Sequence, residues 1–132
     1  VSYRVYAVSK ESYMDELIDR LADGRYIYPP SLGTVFFQGY ITNLPCVDIN
    51  SQESDGYVSI DSVVPLHCIE EIEIGDYHLI KEKMPKDFGE NREIKRAETY
   101  IFDQRGYPVK FKIKNHYHSV KLEDREEKII FM

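Results

Sequence analysis

Apolar and polar positions along this chain follow two periods, and the change between them marks the first element. Tyr13, Met14, Leu17, Ile18 and Leu21 recur at three- and four-residue spacing, which predicts an amphipathic helix. Ser9 precedes it as a cap, Glu11 suits the positive N-terminal end, and Gly24 stops it. Glu16 and Arg20 stand one turn apart on the wet side. Elsewhere the dominant period is two. Ser2–Val8 alternates and predicts a first strand, and Thr34–Ile41 predicts another, bulged near Gly39. Cys46–Asn50 reads as a short strand, Ser51–Gly56 as a polar turn, and Tyr57–Val64 as a strand that Pro65 ends. Leu66–Glu71 predicts one helical or 3₁₀ turn. Ile72–Ile74 and Tyr77–Ile80 then flank Gly75-Asp76 as a tight hairpin.

Two segments follow neither period. Tyr26–Leu32 contains Pro29-Pro30, whose fixed backbone predicts an extended stretch. Residues 84–98 hold only Met84, Phe88 and Ile94 as large apolar side chains, which predicts a polar loop and the sole candidate hinge. Thr99–Phe102 and Tyr107–Lys114 flank Asp103–Gly106 as a C-terminal hairpin, with Gly106 where a left-handed residue is wanted. Lys128–Met132 is too apolar for a loose tail, so it adds a strand or packs on a second subunit. The fold class is α+β: one N-terminal helix packed on a strongly bent, mainly antiparallel sheet or small barrel, in a single domain spanning 1–132. The rhythm from Gly33 to Ile74 resembles that of small SH3- or Sm-like barrels, a likeness of pattern that transfers no function.

Composition narrows the class. With 132 residues, 42% hydrophobic and 30% charged, the chain is neither disordered nor low-complexity. No apolar run approaches the roughly 18 residues of a membrane span, and the start has no signal-peptide pattern. Cys46 and Cys68 are too few for a disulfide scaffold and lie among Val, Ile and Leu, so both read as small buried hydrophobes in a reducing, cytoplasmic setting.

Charge changes the picture more. The net charge of −6 repels phosphate backbones, yet residues 1–80 carry −9 and residues 81–132 carry +3. Residues 104–121 hold Arg105, Lys110, Lys112, Lys114 and Lys121 with no acid. Strand alternation sends Val109, Phe111 and Ile113 to one face and the three lysines to the other, repeating about every 7 Å. Such a row, with Arg105 at the turn and Tyr107 and Tyr117 nearby, suits phosphates and a stacked base. Lysines on an edge strand are equally a guard against aggregation.

Other constellations carry less. His116 and His118 share a strand face, but tetrahedral zinc needs about two further ligands, for which only His67, Cys68 and His78 stand available. Glu71 and Glu73, followed by Asp76, read as a solvated acidic face. No G-x-S-x-G, G-x-x-x-x-G-K or H-E-x-x-H occurs. Tyrosine is abundant, at 11 against 6 Phe and no Trp, and suits recognition surfaces.

These residues favour binding over catalysis, with no cofactor and no metal. The leading expectation is capture of an anionic, nucleotide-like small molecule by Arg105, Tyr107, Lys110, Lys112, Lys114 and Tyr117, with Arg92 and Arg96 of the polar loop closing over it. A homo-oligomer follows from the apolar C-terminus. The alternative is a protein-binding inhibitor or adaptor of the kind that phages and other mobile elements encode, using Tyr26, Tyr28, Glu70, Glu71 and Glu73. A single-stranded nucleic-acid binder is weaker, given the acidic total.

Overall fold

Helix α1 forms where the apolar spacing places it, at Tyr13–Ala22. Asp15 and Glu16 lie in its first turn, and Arg20 in its last turn is ion-paired to Glu16. Ser12 rather than Ser9 takes the N-cap position, while the Ser9 hydroxyl accepts the Glu11 N–H. The C-terminus closes with two bonds in the Schellman pattern: Arg25 N–H donates to the Arg20 carbonyl at 2.7 Å and Gly24 N–H to that of Leu21 at 3.2 Å. Gly24 has φ +65°, a conformation glycine adopts at no cost.

The computed structural model describes residues 4–25, 27, 39–42, 44 and 47–132. The expected extended segment at Tyr26–Leu32 and most of the expected strand at Thr34–Ile41 lie outside these residues, as do Tyr26, Tyr28 and Cys46. The described part of Ser2–Val8 has no strand pairing. Residues 1–46 form one unit and Val47–Met132 a second. Among the described residues no helix is long and apolar enough to cross a membrane.

The second unit carries nine strands: β1 Ile49–Glu53, β2 Tyr57–Ile60, β3 Val64–Pro65, β4 Ile69–Ile72, β5 Leu79–Phe88, β6 Ile94–Asp103, β7 Val109–Ile113, β8 His116–Lys121 and β9 Glu126–Ile129. A 3₁₀ turn at Leu66–Cys68, between β3 and β4, takes the first half of the turn expected over Leu66–Glu71, while residues 69–71 belong to β4. The strands make three antiparallel three-stranded sheets, in the orders β1-β8-β9, β2-β7-β4 and β3-β6-β5. The architecture is α+β, and each of the three sheets is open.

β7 is the central strand of its sheet, and its alternation is as the sequence predicts. Val109, Phe111 and Ile113 are buried, while Lys110 and Lys112 face outward. Phe111 joins Val58, Ile60, Val64 and Ile101 in the core, against which Cys68, Tyr77 and Ile130 also pack.

Several local expectations are corrected: residues 51–53, expected in a turn, belong to β1, and the strand expected at Tyr57–Val64 is split into β2 and β3 with Pro65 inside β3. β6 and β7 are not a hairpin, because β7 pairs with β2 and β4 while β6 pairs with β3 and β5. The Gly75-Asp76 turn likewise joins two strands of different sheets. Residues 84–98 are not a loop: β5 and β6 pair from Leu79↔Asp103 to Phe88↔Ile94, with bulges around Lys86. Most side chains at the far end of this ribbon are solvated, so no apolar alternation marks it. The C-terminal residues do add a strand. β9 pairs with β8, and Asp61 and Ser62 cover its other edge through backbone and side-chain bonds to Lys128 and Ile130.

Candidate functional site

The β7 lysines project from the sheet as expected, but each meets a carboxylate of β4 or of the segment after it. Lys110 Nζ lies 3.1 Å from Glu73 Oε2, and Lys112 Nζ lies 3.3 Å from Glu70 Oε2. The Tyr57 hydroxyl donates to Glu71 Oε2 at 2.8 Å from the opposite edge. Pairing across β4, β7 and β2 puts these groups in ladder order, with Tyr57 and Glu71 both opposite Lys112. A bulge between Ile69 and Glu71 lets the adjacent Glu70 and Glu71 serve the same outer face. Glu70 raises the pKa of Lys112, and the hydrogen bond to Glu71 raises that of Tyr57. The face is thus a compensated lattice of both signs. All these side chains are partly solvated, so each pair adds little stability. A double-mutant cycle on Lys110 and Glu73, read by urea unfolding, is expected to give a coupling of about 0.5 kcal/mol, shrinking with added salt.

Arg105 is also spent internally. Asp103, 3% exposed, accepts the N–H groups of His78 and Arg105, each at 2.7 Å, and pairs with the Arg105 guanidinium at 3.2 Å. The guanidinium reaches the Asp76 carbonyl and stands 4.9 Å over the Tyr107 ring. The charge expected to hold a phosphate here clamps the β6–β7 connection to Gly75–His78. Gly106, at φ +74°, closes that turn by donating to the Asp103 carbonyl at 3.0 Å.

The remaining expected residues are dispersed. Tyr117 is buried, with its hydroxyl on Gln52 Oε1 at 3.3 Å, so its ring is part of the core rather than an exposed platform. Lys114 has no ion pair among the described residues and lines a shallow cavity of about 270 Å³ with Glu53, Ser54, Asn115 and His116. Arg92 and Arg96 lie on the β5–β6 ribbon, in a different sheet from β7, so the structure does not bring them into ladder contact with its lysines. His116 and His118 rings sit edge to face at 5.6 Å, and His118 packs on Phe131 at 5.0 Å. Burial and His116 push the His118 pKa down. Among the described residues no group of three His, Cys, Asp or Glu is arranged to hold a metal.

One surface was not legible as a site. Between the Pro65↔Tyr100 pair and the Gly89–Glu93 turn the β5–β6 ribbon has no third strand among the described residues. Its end presents Phe88 directly opposite Ile94, 59% and 58% exposed. Arg92, at φ +59°, and Gly89 form the turn beyond them, with Gly89 N–H donating to the Glu93 carbonyl at 2.8 Å. The signal that finds this arm is the pair of ten-residue strands around Gly89–Glu93, rather than hydrophobicity. Compared with family models, curated proteins and solved structures, the chain matches none.

Proposed function

We propose that this chain is a protein-binding module, of the inhibitor or adaptor class, and that the β5–β6 arm is its contact element. The carrying observation is the cross-strand pair of Phe88 and Ile94 at the arm's end, both more than half exposed. A two-stranded ribbon is marginal by itself, and an aromatic–aliphatic pair held at its tip gains most when a partner covers it. Arg92 and Lys95 with Glu90 and Glu93 surround the pair and supply a polar rim of both signs. The matching partner is a folded protein with an apolar pocket and a mixed-charge border. The compensated β2-β7-β4 face supports the same reading, since its lysines already have carboxylate partners.

The test is site-specific photo-crosslinking in the producing cells, with a benzophenone amino acid at Phe88. One discrete protein adduct is expected, and Ile94→Asp is expected to lower its yield by about tenfold. Equal yield with Ile94→Asp, or an identical adduct from a probe at the exposed Tyr107, would overturn the assignment.

A second reading, small-anion capture, keeps one favourable observation: Lys114, without an ion pair among the described residues, stands beside Ser54, Asn115 and His116. It predicts that Lys114→Ala abolishes any saturable phosphate binding seen by calorimetry. Glu53 on the same wall opposes an anion there.

A further inference from the structure

Cys68 is read from sequence as an inert buried hydrophobe, and it does pack against the core, but only partly buried. Its neighbours make a different arrangement. The Cys68 Sγ lies 3.4 Å from His67 Nε2, and the other ring nitrogen, Nδ1, contacts Glu98 Oε1. Glu98 is held in turn by Lys86 Nζ at 2.7 Å and faces the Tyr100 hydroxyl at 3.5 Å. Its side chain is 11% exposed, whereas that of His67 is 59% exposed. A thiol, an imidazole and a carboxylate therefore stand in series, with the carboxylate fixed by a cation and a phenol.

The fold assembles this series from three elements. His67 and Cys68 come from the 3₁₀ turn, Glu98 and Tyr100 from β6, and Lys86 from the bulge of β5. The Met84↔Glu98 and Glu82↔Tyr100 register puts Glu98 and Tyr100 on one face of the ribbon, the face that His67 meets. A surface cavity of about 330 Å³, lined by Leu66, His67, Ala97, Glu98 and Thr99, opens beside the imidazole.

We propose that Cys68 is a base-assisted nucleophile toward small aliphatic disulfides, with His67 as its base and Glu98 as the residue that positions His67. The order nucleophile, base, orienter is the arrangement that activates a weak nucleophile. Attack on a disulfide needs a thiolate and an in-line approach but develops no oxyanion, so these three groups suffice. The Sγ–H proton passes to His67 Nε2 as Sγ bonds to one sulfur of the disulfide and the S–S bond breaks. The departing thiolate takes the proton back from the imidazolium. The products are a mixed disulfide at Cys68 and one free small thiol, and the incoming disulfide is the only oxidant.

Two electrostatic facts agree with an assisted thiol. Burial, and then the Glu98 charge, push the Cys68 pKa up, so the thiol is protonated at neutral pH and depends on a base at hand. The Lys86 hydrogen bond holds the Glu98 pKa below the usual range, so the carboxylate stays charged to orient the imidazole.

The test uses the full chain with Cys46→Ser, which leaves Cys68 as the one cysteine, and 2-hydroxyethyl disulfide as probe. Mixed-disulfide formation is followed by intact-protein mass spectrometry. His67→Ala is expected to slow it about tenfold, and added imidazole to restore much of the rate. Glu98→Gln, which keeps the shape but not the charge, is expected to slow it by a smaller factor, and Glu98→Asp to recover part of the loss. In guanidinium chloride the parent and His67→Ala chains should react equally. Equal native-state rates for parent and His67→Ala, with matching thermal melts, would overturn the proposal. So would a native Cys68 that does not react at all.

Discussion

Replacing Phe111 with alanine is expected to destabilise the Val47–Met132 unit by about 4 kcal/mol, measured by urea unfolding. The residue is 1% exposed at the middle of β7 and belongs to the same buried cluster as Val58, Ile60 and Ile101. Truncation loses the transfer energy of an aromatic side chain and leaves a void that flanking strands on both sides prevent from collapsing. The same change loosens the register that sets Lys112 opposite Glu71 and Tyr57. A loss below about 1 kcal/mol would mean that β7 is not the packed centre of this sheet.

The second large effect belongs to Asp103. Its carboxylate accepts two backbone N–H groups and a guanidinium, with the Arg105 side-chain bond the largest influence, and its pKa is lowered from 3.8 to about 2. A carboxylate whose folded pKa is depressed stabilises the fold above its unfolded value. That contribution fades as pH falls through the folded value. Asp103→Asn puts an amide donor among donors, and it is expected to lower the melting temperature at neutral pH by about 10 °C. The gap between wild type and variant should be full above about pH 4 and close as pH falls toward 2. A gap that stays constant from pH 7 to pH 2 would contradict the clamp.

The history of β7 explains how much of this fold its sequence carries. The alternation of Val109, Phe111 and Ile113 with lysines is local to one strand, so the buried and solvated faces follow from it directly. The same is true of α1, whose period and Gly24 stop are contained in one stretch of chain. Pairing is a different kind of information. Glu70 and Glu73 reach the lysines only because β4, distant in sequence, lies beside β7, and no local pattern specifies that. Asp103 and Arg105 read as a simple turn, yet the Asp103 bond to His78 N–H ties that turn to a remote loop and sends β7 into another sheet. The β5–β6 arm escaped for the opposite reason. A ribbon solvated over most of both faces has no apolar stripe, so Phe88 and Ile94 stand isolated in a polar stretch of sequence and only the strand register sets them opposite each other. His67 and Glu98 likewise gain meaning only once β6 meets the 3₁₀ turn.

Lys110 and Lys112 are paired with Glu73 and Glu70 on the β4 side of their sheet, and the role proposed for the arm rests on that pairing. An ATP titration followed by amide NMR shifts at Lys110 and Lys112, on wild type and on the Glu70→Gln/Glu73→Gln double variant, tests it most directly. No saturable shift is expected at those two amides in the wild type at millimolar ATP, and a saturable one is expected once the carboxylates are neutralised. Saturation in the wild type with an affinity equal to that of the double variant would contradict it.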